Sequence, residues 1–181
     1  IKAEAQANGT FMKAPNGKAT NLNEAQWIDV RTKRFKDWFG DWQNEPENAS
    51  KVVDENGEPL VVYHGTNAHI DVFDLKKIGR AGEEVHKFIT NPEMASVYGK
   101  NVIAAFLSIK NSVVGSKFNE RRGLAKFYID KSFNDARLDL IYNSKRASES
   151  QGGVAYGVLS NDLKQKGDVY FVHDSNQIKS A

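Results

Sequence analysis

The feature that most constrains the fold of this chain is an Asn-Gly pair between two apolar, β-branched runs. Asn56-Gly57 separates Val-Val at 52–53 from Val-Val-Tyr at 61–63. Asn-Gly is the strongest short-range signal for a two-residue hairpin turn, because such a turn needs positive φ angles. The pattern therefore predicts an antiparallel hairpin over residues 50–63. The second strand stops on His64, so the hairpin delivers a titratable ring to a strand end.

The rest of the chain after residue 50 alternates short strand and helix patterns. Residues 92–98 follow Asn91, a capping residue, and begin with proline, which is favoured in the first turn of a helix. Apolar runs predict strands at 102–109, 125–129 and 169–173. Short strands separated by turns and short helices predict an α+β fold that is mainly antiparallel.

The first 49 residues have a different pattern, which is aromatic and helical. All three tryptophans lie there: Trp27, Trp38 and Trp42. Asn23 is the predicted N-cap of a helix whose apolar residues recur at helical spacing until Gly40, which is expected to end it. A polar, proline-containing break at 44–48 indicates a boundary. We therefore predict a helical N-terminal extension, 1–49, before a domain at 50–181, and interpret the aromatic stripe as a packing surface rather than a docking face.

Composition excludes several classes of protein. The 181 residues include 25 basic and 23 acidic side chains, a net charge of +2, so no basic tract indicates nucleic-acid binding. The absence of cysteine excludes a disulfide framework and a thiol nucleophile. No apolar run reaches the roughly 18 residues of a membrane helix. The histidines are scattered and no carboxylate cluster has ligand spacing, so we expect no metal site.

The segment Tyr63-His64-Gly65-Thr66 is the first candidate for a binding site. A neutral imidazole donates from one nitrogen and accepts at the other, so His64 can orient a ligand hydroxyl while it is anchored from behind. Gly65 has no Cβ, which lets a flat ligand approach the backbone closely. A histidine that merely ends a strand is the structural alternative for His64.

Four blocks of the sequence carry a family resemblance: residues 35–42 (FKDWFGDW), 51–66 (KVVDENGEPLVVYHGT), 91–99 (NPEMASVYG) and 176–181 (NQIKSA). Together they resemble the ADP-ribosyltransferase domains of phage polyvalent proteins and bacterial polymorphic toxins, which are distantly similar to the poly(ADP-ribose) polymerase catalytic fold. The resemblance implies an ADP-ribosyltransferase-like fold of two mainly antiparallel sheets with short helices. It also implies that NAD, the co-substrate, binds in a cleft between the sheets.

The resemblance implies roles for residues of the first two motifs. His64 would hydrogen-bond the nicotinamide ribose of NAD, and Gly65 would present its backbone to the carboxamide. Tyr63 and Thr66 would complete this part of the pocket. Tyr98, from the helix predicted at 92–98, would stack on the nicotinamide ring, because an aromatic face suits a planar heterocycle.

The second motif departs from the family pattern, in which a strand supplies another tyrosine against the same ring. Lys87 stands at that position here, with Phe88 beside it. Either Phe88 takes the place of the tyrosine, or the pocket has one aromatic wall and a lysine near the pyrophosphate. Arg80, in the preceding loop, is a candidate phosphate contact because a guanidinium forks onto phosphate oxygens. An exposed loop arginine without a role is the structural alternative.

The third motif of the family supplies a carboxylate that holds the ribose and activates the acceptor while the bond to nicotinamide breaks. Asp168 is the candidate by position. A literal alignment of the terminal block places Val169 there instead, and one residue along a strand means the opposite face. Glu149 and Gln151 are the rivals. The predicted catalytic set is His64, Tyr98 and Asp168.

These features predict an NAD-dependent mono-ADP-ribosyltransferase that acts as the toxin domain of a delivered bacterial effector and modifies a protein side chain or RNA. The start at Ile1 is interpreted as the mark of a piece cut from a longer polypeptide, with trimming during expression as the alternative. The expected partners are NAD, the acceptor and a cognate immunity protein. We expect a monomer that is secreted or delivered by its producer and acts in the target-cell cytoplasm.

Three alternatives stay open. The first is a phage-delivered transferase that modifies host proteins by the same chemistry. The second is a nuclease that uses His64, His69 and His173 as acid and base. The third is a degenerate domain that binds NAD without catalysis.

Overall fold

The computed structural model describes residues 1–70, 73, 86–110, 112–114, 127–130, 169–172 and 175–181. Its helices are α1 (Lys2–Ala7), α2 (Glu24–Asp29), α3 (Lys33–Phe39) and α4 (Pro92–Ser96), with a 3-10 turn at Ser175–Gln177. Its strands are β1 (Val62–Thr66), β2 (His86–Ile89), β3 (Asn101–Leu107), β4 (Ser112–Val114), β5 (Phe127–Asp130), β6 (Val169–Val172) and β7 (Ile178–Ser180).

The described strands form one sheet in the order β4-β5-β6-β2-β1-β3-β7. Every neighbouring pair is antiparallel except β5 and β6, which are parallel. The prediction of a mixed, mainly antiparallel α+β fold is therefore confirmed. The more detailed prediction of two sheets is not confirmed, because the described strands all belong to this single sheet.

A turn is present at Asn56-Gly57, but only Gly57 of the pair has a positive φ, so it is not the predicted two-residue turn. The predicted hairpin over 50–63 is also not formed, because residues 52–53 belong to no strand. The turn is held by a side chain. One Asp54 carboxylate oxygen accepts hydrogen bonds from the backbone N–H groups of Asn56 and Glu58, at 2.9 and 3.0 Å. Gly57 has a φ of +79°, a conformation that glycine adopts without strain. A single antiparallel bridge, Val53 to Pro59, closes the turn.

The strand that follows the turn differs from the prediction at its far end. It was expected to stop on His64, but β1 continues for two more residues, because Gly65 and Thr66 pair with Val102 and Asn101 of β3. His64 therefore lies in the middle of a strand. The direction of its side chain is set because the residues before and after it, Tyr63 and Gly65, are both paired with β3.

The N-terminal helical segment is divided into two helices where one was predicted. Asn23 caps α2 in a capping box with Gln26, as expected from its position. Thr32 then starts a new helix, because its hydroxyl accepts a hydrogen bond from the N–H of Phe35. Gly40 follows α3 with a φ of +101°, which agrees with the predicted end.

The aromatic residues of this segment pack against the sheet. Trp27, Phe35, Phe39 and Trp42 are buried in one cluster with Phe106 of β3. A second buried cluster contains apolar side chains of the sheet: Val62, Phe88, Ala105, Leu107, Tyr170 and Val172. The interpretation of the aromatic stripe as a packing surface is thus confirmed, whereas the domain boundary after residue 49 stays a prediction.

No helix in the described part of the chain has both the length and the apolar character needed to cross a membrane.

Candidate active site

The candidate site lies where β1 and β2 part. β1 pairs with β3 along its whole length, from Val62 opposite Ala105 to Thr66 opposite Asn101. β1 pairs with β2 only near its beginning, where Tyr63 lies opposite Ile89. Beyond that pair the two strands are linked by a side chain, because Nδ1 of His64 lies 2.9 Å from the backbone oxygen of Lys87. The result is a notch in the sheet, and the imidazole of His64 bridges it.

This bond determines which nitrogen of His64 carries the proton. The Lys87 carbonyl can only accept, so Nδ1 donates, and in the neutral ring Nε2 is left as an acceptor. Burial lowers the pKa of His64 below its ordinary value of 6.5; the bond to the Lys87 carbonyl raises this pKa, and the nearby Lys87 ammonium lowers it further. At neutral pH the ring is therefore uncharged, with Nε2 ready to accept a hydrogen bond from a ligand hydroxyl.

Three rings surround the imidazole of His64. Phe73 lies at 5.6 Å and His86 at 5.6 Å between centroids, both edge-on, and Phe88 lies at 5.5 Å in a tilted orientation. His86 is 3 % exposed, and Phe88 is fully buried. These contacts limit rotation of the ring and exclude water from most of its surface. Sequence reasoning did not single out His86 or Phe73, although His86 alternates with Phe88 along the strand and must share its face.

The placement of Phe88 bears on the departure from the family's second motif. Phe88 packs behind His64 in the apolar cluster of the sheet, whereas Lys87 points to the other face. Phe88 therefore does not lie beside Tyr98 in the place of the family's tyrosine. One aromatic wall with a lysine near the pyrophosphate, the second alternative for this motif, stays a prediction.

Helix α4 covers the opposite face of β1, and two glycines allow the close approach. A Cβ on Gly65 would lie 1.7 Å from the carbonyl oxygen of Ala95 and 3.3 Å from Cβ of Tyr98. A Cβ on Gly99 would lie 2.0 Å from the carbonyl carbon of Thr66. Both positions therefore require glycine for packing within the protein. The requirement at Gly65, which the sequence linked to a ligand, has this second physical cause.

Tyr98 lies beside Gly65 in the turn that follows α4, since the helix ends at Ser96 and not at residue 98 as predicted. Its hydroxyl is buried and has no hydrogen-bond partner among the described residues, and burial raises its pKa to about 12. The ammonium of Lys87 lies over the ring face, 3.8 Å from the centroid. Because Gly65 faces α4, the neighbouring His64 points to the other face of the sheet. His64 and Tyr98 therefore lie on opposite faces of β1, and a ligand that contacts both has to reach past the β1 backbone.

The remaining residues of the first motif have structural contacts as well. Tyr63 is half-buried and pairs with Ala104 on one side and Ile89 on the other. The hydroxyl of Thr66 accepts a hydrogen bond from the N–H of Ala68 at 3.1 Å, which turns the chain at the end of β1. Their contacts with a ligand stay predictions.

Several predicted site residues lie outside the described residues: Arg80, Glu149, Gln151, Asp168 and His173. His69 is described, and it is exposed just beyond β1. Within the described ranges, no three His, Cys, Asp or Glu side chains are grouped so as to hold a metal ion.

Comparison with protein families identifies the class of protein to which this chain belongs. Residues 54–181 match the model of the family described as ADP-ribosyltransferase in polyvalent proteins. The match spans more than two thirds of the 181 residues, so the chain belongs to this family. The resemblance found in the sequence is thereby confirmed, and with it membership of a transferase family. No curated protein and no solved structure matches the chain.

Proposed function

We propose that the chain is an NAD-dependent mono-ADP-ribosyltransferase whose nicotinamide site is the notch between β1 and β2. The observation that carries the proposal is the fixed, neutral imidazole of His64, bonded through Nδ1 to the Lys87 carbonyl at 2.9 Å. Nε2 is then an acceptor for a ribose hydroxyl. Gly65 and Tyr98 lie beside it, at the positions where the family contacts the carboxamide and the ring of nicotinamide.

The proposed reaction exchanges one bond for another. The glycosidic bond between the ribose and the nicotinamide nitrogen breaks, and its electron pair leaves with neutral nicotinamide. The ribose carbon passes through a state with oxocarbenium character, which a nucleophile of the acceptor then captures while it loses a proton. Oriented hydrogen bonds at the ribose hydroxyls contribute by positioning this carbon. A carboxylate aimed at the developing positive charge completes the chemistry, and Asp168 is proposed for that role, with Glu149 as the rival carboxylate. Gln151, the other rival for this position, is a neutral amide and could only hold the ribose by hydrogen bonds.

The biological setting is also part of the proposal. We propose a toxin domain of a delivered bacterial effector, which acts in the cytoplasm of a target cell on protein or RNA and is neutralised by an immunity protein. The resemblance to toxin domains supports this setting. A phage-delivered transferase would use the same site, and growth of bacteria that express the chain, with and without a candidate immunity protein, distinguishes the two.

The test is transfer of label from NAD to a bacterial lysate that is afterwards separated into protein and RNA. Wild type is compared with His64→Asn, in which an amide can replace the Nδ1 donor but nothing replaces the Nε2 acceptor. The matched control is His69→Asn, since His69 is exposed and five residues away. Loss of a preorganised group of this kind typically slows a reaction about 10²- to 10³-fold.

The expected result is labelling by wild type and by His69→Asn, with at least a hundredfold loss in His64→Asn. Label in one fraction identifies the acceptor class. RNA cleavage that needs no NAD would instead support the nuclease. NAD binding without nicotinamide release would support the degenerate domain, and either of these outcomes would contradict the proposed activity.

A further inference from the structure

The two positions that the resemblance places against the nicotinamide ring, 87 and 98, are in direct contact in this chain. Position 87 and Tyr98 should face each other across the nicotinamide ring, but the Lys87 ammonium lies 3.8 Å from the centroid of the Tyr98 ring. A flat ring between two groups needs about 7 Å, since each van der Waals contact takes roughly 3.5 Å. The space between Lys87 and Tyr98 is therefore closed, and the nicotinamide ring of NAD can enter it only if the Lys87 side chain moves.

The charges of NAD favour movement of the Lys87 ammonium away from the nicotinamide ring and toward the pyrophosphate. The nicotinamide ring of NAD is cationic, so it repels an ammonium group on the same aromatic face. The pyrophosphate of NAD is anionic and attracts that group through charge-assisted hydrogen bonds. Lys87 has a flexible stem of four carbons, and its head group can change partners without movement of β2. Free nicotinamide is neutral and has no phosphate, so it provides no new partner for the displaced ammonium.

We propose that Lys87 is a specificity-determining residue that covers Tyr98 in the free enzyme and pairs with the pyrophosphate when NAD binds. The inference rests on the proposed function, because it assigns the space between Lys87 and Tyr98 to nicotinamide. It predicts that the enzyme selects the intact dinucleotide over its own product. Binding of nicotinamide has to break the cation–π contact between Lys87 and Tyr98 without replacing it. When NAD binds, the ion pair between Lys87 and the pyrophosphate compensates for the loss of that contact.

The test measures the binding of two ligands by titration calorimetry: nicotinamide, and a carbocyclic NAD analogue whose nicotinamide bond is not cleaved. The variants are Lys87→Met, which keeps the length of the stem and removes the charge, and Lys87→Arg, which retains the charge. Lys100→Met is the matched control, because Lys100 is an exposed lysine close to α4. Thermal unfolding of each variant verifies that it is folded.

The two ligands should respond in opposite directions to Lys87→Met. Nicotinamide should bind about three- to tenfold more tightly, because its competitor for the ring is gone. The analogue should bind about three- to tenfold more weakly, because an ammonium–phosphate pair is lost. Lys87→Arg should restore the affinity for the analogue, and Lys100→Met should change neither affinity.

Shifts of both ligands in one direction, or no shift, would overturn the inference. A second measurement uses the wild type alone. Rising salt should lower the affinity for the analogue and leave the affinity for nicotinamide unchanged. Equal changes in the two affinities would also overturn the inference. A wild type that binds neither ligand would contradict the proposed function itself. A wild type that binds the analogue but shows no opposite shifts in Lys87→Met would contradict this inference alone.

Discussion

At the scale of single residues, one side chain takes the place of backbone pairing. Where β1 and β2 part, the ring of His64 bonds to the Lys87 carbonyl, and Phe73, His86 and Phe88 pack around it. This environment keeps the ring neutral and its direction constant. His64 thus serves the fold through Nδ1 and is available to a ligand through Nε2.

The neutral state of His64 predicts a dependence of stability on pH. Its pKa in the folded protein is lowered by burial from 6.5, so the unfolded chain takes up a proton at a higher pH than the folded one. The contribution to stability is complete above pH 6.5 and is lost as the pH falls toward the lowered value. His64→Asn should lack this contribution.

The measurement is the free energy of unfolding of both proteins in urea between pH 8 and pH 5. The difference between wild type and His64→Asn should shrink on acidification, by at most about 1.4 kcal/mol per pH unit for one proton. Parallel curves, or a wild type that gains stability relative to the variant at low pH, would contradict the neutral assignment.

Single residues also show what the sequence could predict about the site. His64 and Gly65 were singled out because they follow a β-branched run, and Tyr98 because its block of sequence resembles the family. The packing of Phe73, His86 and Phe88 around the ring of His64 could not be predicted in this way. Phe73 lies between β1 and β2, and its contact with the imidazole depends on how the chain returns to the sheet.

At the scale of elements, the site depends on how closely α4 packs on β1. The glycines at 65 and 99 bring the backbones of helix and strand into contact, because each would otherwise place a Cβ inside the other element. Tyr98 lies between these contacts and is positioned by both. The predicted start of α4 at Asn91 and Pro92 holds, because its cap is local: the Asn91 side chain accepts from the N–H groups of Glu93 and Met94. The helix ends at Ser96, two residues before the predicted end.

Alanine at either glycine should separate α4 from β1. We expect Gly65→Ala and Gly99→Ala each to lose about 3 kcal/mol of stability, at the upper end of typical overpacking, because the atoms they meet belong to the backbone. The control is Gly57→Ala, whose Cβ meets nothing within 4 Å but whose φ is +79°. It should cost about 1 kcal/mol from backbone strain alone.

Chemical denaturation with binding of the NAD analogue measures both effects. Gly57→Ala should bind the analogue as wild type does, whereas the other two variants should bind it weakly or not at all. Equal costs at all three positions would show that α4 does not pack as closely as described.

At the scale of the whole molecule, the N-terminal segment and the sheet are joined by a buried ion pair. Arg31 lies 2.6 Å from Glu58, whose side chain is fully buried in the turn before β1. The guanidinium also stacks on Trp27 at 3.8 Å. At the other end, the indole N–H of Trp38 donates to the backbone oxygen of Asn176 at 2.6 Å. These contacts connect residues outside the family match to residues inside it.

The segment should therefore unfold together with the sheet. All three tryptophans lie between residues 27 and 42, so their fluorescence reports on the segment, while circular dichroism reports on the whole chain. The two transitions should coincide, as in a single cooperative unit. Arg31→Met should lower the free energy of unfolding by about 3 to 5 kcal/mol, and equally in both signals, because it leaves the Glu58 carboxylate buried without its partner cation.

Lys33→Met is the control, because the ion pair of Lys33 with Asp37 is exposed and such pairs contribute about 0.5 kcal/mol or less. A fluorescence transition that precedes the change in circular dichroism would support a separate extension at 1–49 instead.

At this scale the sequence predicted elements better than their arrangement. β1, β3, β5, β6 and α4 fall on or beside predicted runs, because periodicity and caps are local, whereas the short strands β4 and β7 were not predicted. The strand order, with β1 in the sheet between β2 and β3, depends on long-range pairing that no window of sequence contains. The split between α2 and α3 has a local cause in Thr32, which competes with the periodic aromatic pattern.

The central claim is that nicotinamide binds in the notch beside Gly65, and nuclear magnetic resonance of protein labelled with nitrogen-15 at its 14 glycines tests it most directly. Addition of the NAD analogue should shift the amide resonances of Gly65 and Gly99 and leave those of Gly9 and Gly57, which lie in turns outside β1 and α4, unchanged. Saturating analogue that leaves Gly65 unshifted, or that shifts only glycines remote from β1, would contradict the account.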